Sequence, residues 1–167
     1  MQAIKKRLLQ LPNSREAFEF LKVFESLFNT QVLGQAGLVI NAATSALVKA
    51  ANAFAATVAG TLVYKAAGTA MTALGGATVL TLNYQIWVFT IDAVGNLYTY
   101  AGVPAASLAG VATPIIPESP VQAVIGSLVL YNGTASSFVP GTTALDTALL
   151  VPVYNNATGP FFPIQPI

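Results

Sequence analysis

Beyond residue 30 this chain has almost nothing to carry charge with. Lys49, Lys65, Asp92, Glu118 and Asp146 are the only lysine, arginine, aspartate or glutamate residues in that long stretch. Charged residues make up 8% of the whole sequence, where an ordinary soluble domain has about 25%. Thr, Ser, Asn and Gln must therefore solvate the surface. A free monomer usually keeps a charged surface for colloidal stability. A body this neutral is either a Thr/Ser/Asn-coated β-sandwich low in charge or, the reading favoured here, a body whose faces other subunits cover.

The remaining charge is concentrated at the start. Lys5, Lys6, Arg7, Arg15 and Lys22 face Glu16, Glu19 and Glu25, and the whole chain nets +1. No basic stripe follows Lys22, so nucleic acid is not expected as a partner. The run Leu8–Leu11 after the basic cluster is cut by Pro12 and is too short for a signal-peptide core. The longest uncharged stretches, 66–91 and 93–117, are broken by Gly, Thr, Asn, Gln and Pro. They read as strands and turns rather than membrane-spanning helices. An outer-membrane barrel has only the strand alternation in its favour.

The 167 residues divide into an arm, a body and a tail. Residues 1–30 hold the basic segment and then a helix over 13–29. Asn13 is a good N-cap, with Glu16 three positions on as in a capping box. Ala17, Phe20, Leu21, Phe24, Leu27 and Phe28 recur at helical spacing, while Phe18 and Val23 widen the apolar stripe. The helix packs on its own body or docks on another subunit, and both readings stay open. Residues 31–158 read as β. Strands are expected at 37–42, 53–58, 61–65, 83–91, 97–100 and 124–131. Asp92–Asn96 should turn the first hairpin, and Asn132-Gly133 a second that returns through Ser136–Phe138. The segment 66–77 reads as a loop or weak helical turn. Pro114–Pro120 reads as a crossing between sheets. The expected fold is mainly β, a jelly-roll-like β-sandwich with an N-terminal α-helix and an extended C-terminal tail. That tail, residues 159–167, has Pro160, Pro163 and Pro166 at every third position and carries Phe161 and Phe162. Such spacing favours a polyproline-like segment lying along its own sheet or reaching a neighbour.

Chemistry is hard to assemble from these residues. Histidine and cysteine are absent, which removes the commonest general base, the thiolate nucleophile and the commonest metal ligands. Asp92, Glu118 and Asp146 sit in expected turns or loops, and no metal or cofactor is expected. A lysine-based hydrolase would have to use Lys49 or Lys65, yet no Ser-x-x-Lys spacing or nucleophile elbow occurs. Gly75-Gly76 lacks the Lys-Ser/Thr of a phosphate loop. Asn132-Gly133-Thr134 and Asn156-Ala157-Thr158 match the glycosylation sequon, a common pattern. Trp87 reads as core, with a sugar-stacking platform formed with Tyr84, Tyr98 and Tyr100 as the alternative. An enzyme is not expected.

Three stretches carry a resemblance to a known group. They are Ala53–Met71 (AFAATVAGTLVYKAAGTAM), Val88–Leu97 (VFTIDAVGNL) and Gly141–Asp146 (GTTALD). Together they resemble tailed-bacteriophage virion proteins variously called head fibre, capsid decoration or cement proteins. The resemblance covers roughly 37–160 and leaves the N-terminal helix unmatched. It implies a β-sandwich on the outer capsid surface, often a homotrimer, that binds the major capsid protein and bridges capsomers. Phe18, Phe20, Leu21, Phe24, Leu27, Phe28, Phe161 and Phe162 are then the candidate capsid- or subunit-binding residues. The alternative is a tail-fibre or receptor-binding module that contacts a host-surface glycan.

Overall fold

Runs rich in β-branched and aromatic residues set the strands, and residues able to adopt unusual φ set the turns. The computed structural model describes residues 29–118 and 120–157. The basic segment, residues 13–28 of the expected helix, residue 158 and the expected tail over 159–167 lie outside them, and so do all eight candidate binding residues. Nine strands are described: β1 (Gln31–Val32), β2 (Leu38–Ile40), β3 (Val48–Ala50), β4 (Phe54–Val58), β5 (Thr61–Lys65), β6 (Tyr84–Asp92), β7 (Leu97–Ala101), β8 (Gln122–Asn132) and β9 (Leu150–Asn156). The protein is mainly β, built from three open sheets. Their orders are β1-β4-β5, β2-β3 and β7-β6-β8-β9, and every pairing is antiparallel.

One apolar core joins the sheets. Val32, Phe54, Ala56 and Val58 of the three-stranded sheet and Leu38, Val48 and Ala50 of the two-stranded one meet Trp87, Phe89, Ile91, Ile125, Leu128 and Leu130. Strands β4 and β5 are joined by Ala59-Gly60, with φ of 48° and 79°. That is the signature of a two-residue type I′ turn, which suits the right-handed twist of a hairpin and normally asks for glycine at such angles.

The central pair is β6 with β8. Phe89 stands opposite Gly126 but Thr90 opposite Val124, so Ile125 is an extra residue on β8. Such a bulge reverses the in/out alternation along its strand. It explains why Ala123 and Ile125 face the core before the shift while Leu128 and Leu130 face it afterwards. Trp87 is fully buried, its indole N–H donates to the Gly75 carbonyl at 2.8 Å, and its ring meets Phe138 edge-on at 6.1 Å.

Two expectations are corrected here. Asn132-Gly133 does not turn a tight hairpin. The partner of β8 is β9, seventeen residues of loop later in sequence position terms, and Phe138 makes only an isolated bridge to Val79. The reason is Asn132 itself, which is buried and engaged in every direction. Its side-chain N–H groups donate to the Val79 and Ser136 carbonyls at 2.9 Å, and its side-chain oxygen accepts from Thr134. It serves as the hub of a loop, and its amide nitrogen is not presented to solvent as a sequon would need.

The proline-rich crossing also does not change sheets. It carries the chain from β7, on one side of β6, to β8 on the other side of the same strand. Gly102 marks where it begins. A Cβ at that position would lie 2.1 Å from the Ala112 carbonyl oxygen and 2.8 Å from Ile86 Cγ2, so the crossing lies directly against the outer face of the sheet. Val111 and Pro114 of the crossing are buried. Of the loop and the weak helical turn, segment 66–77 is the loop, and Ala70 in it bridges to Lys49 of β3.

Replacing Asn132 with Ala removes four side-chain hydrogen bonds and leaves the Thr134 N–H without its acceptor, while the Val79 and Ser136 carbonyls keep the Phe138 N–H and the Thr134 hydroxyl. Each bond lost contributes about 0.5–1.5 kcal/mol net. Asn132→Ala should therefore lower unfolding stability by about 2–4 kcal/mol in chemical denaturation, well beyond the effect of Asn52→Ala, whose exposed side chain makes one hydrogen bond at 3.5 Å.

Candidate assembly surface

The residues with the means for acid–base chemistry are scattered or already engaged. Asp92 closes the β6–β7 hairpin. One carboxylate oxygen accepts the backbone N–H groups of Val94, Gly95 and Asn96 at 2.8–2.9 Å. The other accepts from the Asn96 side chain and the Tyr98 hydroxyl, each at 2.9 Å. Burial alone would push this carboxyl up, but the Asn96 side chain, the turn's backbone N–H groups and Tyr98 outweigh it and hold it at about 2. Five donors leave it no capacity to accept a proton near neutrality, so it is a structural anion. Donation to Asp92 in turn raises the Tyr98 phenol.

Lys49 lies on β3 and Lys65 at the end of β5, in different sheets. Lys65 runs beside Gly95 at the tip of the β6–β7 hairpin. Glu118 is exposed in the crossing. Asp146 does not cap its own turn. It reaches across to accept the backbone N–H of Thr44 at 2.8 Å, fixing the β2–β3 loop. Among the described residues no cluster of three or more acidic residues is placed to hold a metal, and no helix is long and apolar enough to cross a membrane.

The aromatic platform is taken apart by the sheet. Trp87 faces the core, whereas Tyr98 and Tyr100 pair with Thr90 and Val88 on the opposite face. Tyr84 shares that outer face by alternation along β6. Tyr98 and Tyr100 stack with centroids 6.3 Å apart, and Tyr84 packs on Tyr131 at 4.7 Å. Trp87 therefore offers no stacking face to a sugar.

What the surface does offer is neutral and apolar. On the outer face of the three-stranded sheet, Leu33, Ala55 and Tyr64 form one cross-strand row, and Gln31, Thr57 and Leu62 the next. Leu62 and Tyr64 are each 67% exposed and Leu33 54%. A second region runs along β9, where Val151 and Val153 are about half exposed and Leu149, at φ 67°, is 69% exposed. Beside it lies a shallow groove of about 320 Å³ lined by Ile40, Leu145, Leu150, Pro152, Tyr154 and the 146–149 loop. The Tyr154 hydroxyl is buried there with no partner among the described residues. Burial, and secondarily the Asp146 carboxylate, raises its pKa. No family model, curated protein or solved structure matches this chain.

Two outcomes follow. The folded Asp92 carboxyl titrates near 2, below its ordinary value of 3.8, so its contribution is complete above pH ~4 and is lost as the pH falls through ~2. Acid unfolding followed by circular dichroism should show this loss, and Asp92→Asn should flatten it while lowering stability at pH 7. Tyr154→Phe removes a buried hydroxyl that has no partner. It should leave the melting temperature unchanged or slightly higher, by an amount worth up to about 1 kcal/mol.

Proposed function

We propose that this protein is a structural virion component that decorates and stabilises a phage capsid. In this reading the body is a jelly-roll-like β-sandwich that assembles as a homotrimer on the outer capsid surface. It binds the major capsid protein and bridges neighbouring capsomers, with no catalytic role. The observation that carries the reading is the surface. Among the described residues fourteen large apolar side chains are exposed, while Glu118 and Asp146 are the only exposed charged residues. Such a surface is poorly suited to a free monomer and well suited to one buried by repeated neighbours, where modest contacts add up through symmetry.

The Phe-rich segment (Phe18, Phe20, Leu21, Phe24, Leu27, Phe28) and the tail with Phe161 and Phe162 are the proposed anchors. The described body begins at residue 29, where the Asn29 carbonyl accepts from the Gly60 N–H at 2.9 Å and the Thr30 hydroxyl from the Ala59 N–H at 3.0 Å. Removing residues 1–28 should leave a cooperatively folding body whose occupancy on capsids lacking the native protein drops at least tenfold in co-sedimentation. Full occupancy by the truncated chain would remove the anchor. Failure of the complete chain to bind any capsid, with binding to host glycans instead, would favour a tail-fibre or receptor-binding module.

A further inference from the structure

Unpaired strand edges are a hazard that folded proteins normally guard, and this one guards nearly all of its own. β1 is only two residues long. The outer edge of β3 is hydrogen-bonded by 68–71, through Ala50 N–H to Thr69, Met71 N–H to Val48 and Gly68 N–H to Ala50. β7 is covered by the 72–76 segment, where Thr72 meets Thr99 and Gly76 lies against Ala101. β9 has two devices. Its pairs with β8 at Ala157–Ile125 and Gly133–Leu149 are hydrogen-bonded, so by alternation the even-numbered residues point their backbone groups outward. One of those is Pro152, which has no N–H, and another is Asn156, whose side chain takes the Leu38 N–H at 2.8 Å.

β5 has none of these. The Ala55 carbonyl accepts from Leu33 N–H on the β1 side, so Ala55 and its partner Tyr64 form a non-hydrogen-bonded pair. The same alternation holds for Thr57 and Leu62. The N–H and C=O groups of Leu62 and Tyr64 therefore point away from β4, and no described residue pairs with them. The strand has no proline and no bulge, and its only charge, Lys65, sits at its end on the core-facing side beside Gly95.

We infer that β5 is a self-pairing edge, joined antiparallel to β5 of a second copy across a two-fold axis at Val63. In this register Leu62 of each copy meets Tyr64 of the other through both outward backbone groups, making four hydrogen bonds. Val63 faces its own symmetry mate in a non-hydrogen-bonded pair. Lys65 stands opposite Thr61, so no like charges meet, and the exposed Leu62 and Tyr64 side chains continue into one apolar surface over six strands. A second copy is the occupant because the edge is complementary to itself in both hydrogen bonding and charge. This goes beyond the proposed decoration role by adding a two-fold contact to the trimer.

The chain has no cysteine, so a single introduced thiol reports the register. Val63→Cys places two Cβ atoms about 4.5–5.5 Å apart, within adjustment of disulfide geometry, and should cross-link nearly completely under mild oxidation. Leu62→Cys faces Tyr64 instead and should stay reduced, although Leu62 is the more exposed of the two positions. Tyr64→Pro removes an outward N–H that β4 does not use and should halve the mass measured by light scattering, with circular dichroism checking that it folds. Val63→Cys that stays reduced, Leu62→Cys that cross-links as readily, or a folded Tyr64→Pro of unchanged mass would each overturn the pairing. The edge would then belong to another segment of the same chain or to a different partner. None of these readings uses capsids, so self-pairing and decoration stand or fall separately.

Discussion

The pairing of β6 with β8 organises everything else. These two strands run side by side from Tyr84–Tyr131 to Asp92–Gln122 and are interrupted once, at Ile125. Without that bulge either Ala123 and Ile125 or Leu128 and Leu130 would face away from the core, since a one-residue slip turns a whole strand over. With it, both ends of β8 feed the same apolar cluster. The other face of the pair is not left to water, because the crossing that starts at Gly102 lies against it. Val88 and Thr90, which point outward, are consequently as buried as the core.

Much of this was legible from residue types alone. The strands β4 and β5, the 83–91 strand with its return, and the Asp92 turn all carry local signals: β-branched runs, aromatic alternation and a turn aspartate. What was not legible depends on distant partners. Val48–Ala50 is too short and too poor in β-branched residues to announce a strand, and it forms because β2 and the 68–71 segment hold it from both sides. The segment Leu150–Asn156 contains a proline, which demotes a strand by local rules, yet at a sheet edge that proline is harmless. Asn132-Gly133 carried the strongest local turn signal and misled, because the asparagine side chain is worth more as a buried hub than the pair is as a hairpin. On the candidate site, the scarcity of charge was plain in the sequence, while the eight named binding residues lie outside the described residues. The separation of Trp87 from Tyr98 and Tyr100 follows from strand parity, which the sequence carries only once the strand ends and register are known.

The scarcity of charge shapes the interior as well. Asp92 is the one buried acid in the described body, and it is neutralised by dipoles and a phenol rather than by a cation. Other polar interior groups, such as Thr90 on Gln122 and Gln122 on Tyr100, are satisfied by neutral partners. Ionic strength has little to act on in such contacts, since screening weakens interactions between charges. Cohesion within the described body is thus carried by packing and by hydrogen bonds among neutral groups, with the Asp92 and Asp146 carboxylates as its charged acceptors.

The tie between the beginning and the end of the body has a consequence for how it is made. Leu38 donates to Asn156 and Thr44 to Asp146, contacts spanning 118 and 102 residues. During synthesis the early strands emerge long before the residues that close them, and chain elongation at about 5–20 residues per second leaves them waiting for several seconds. Over that interval β2 and β3 have an incomplete core beneath them. The body can reach its finished state only after the segment carrying residues 146–156 has cleared the ribosome. Until then the apolar faces of the early strands are open to premature association.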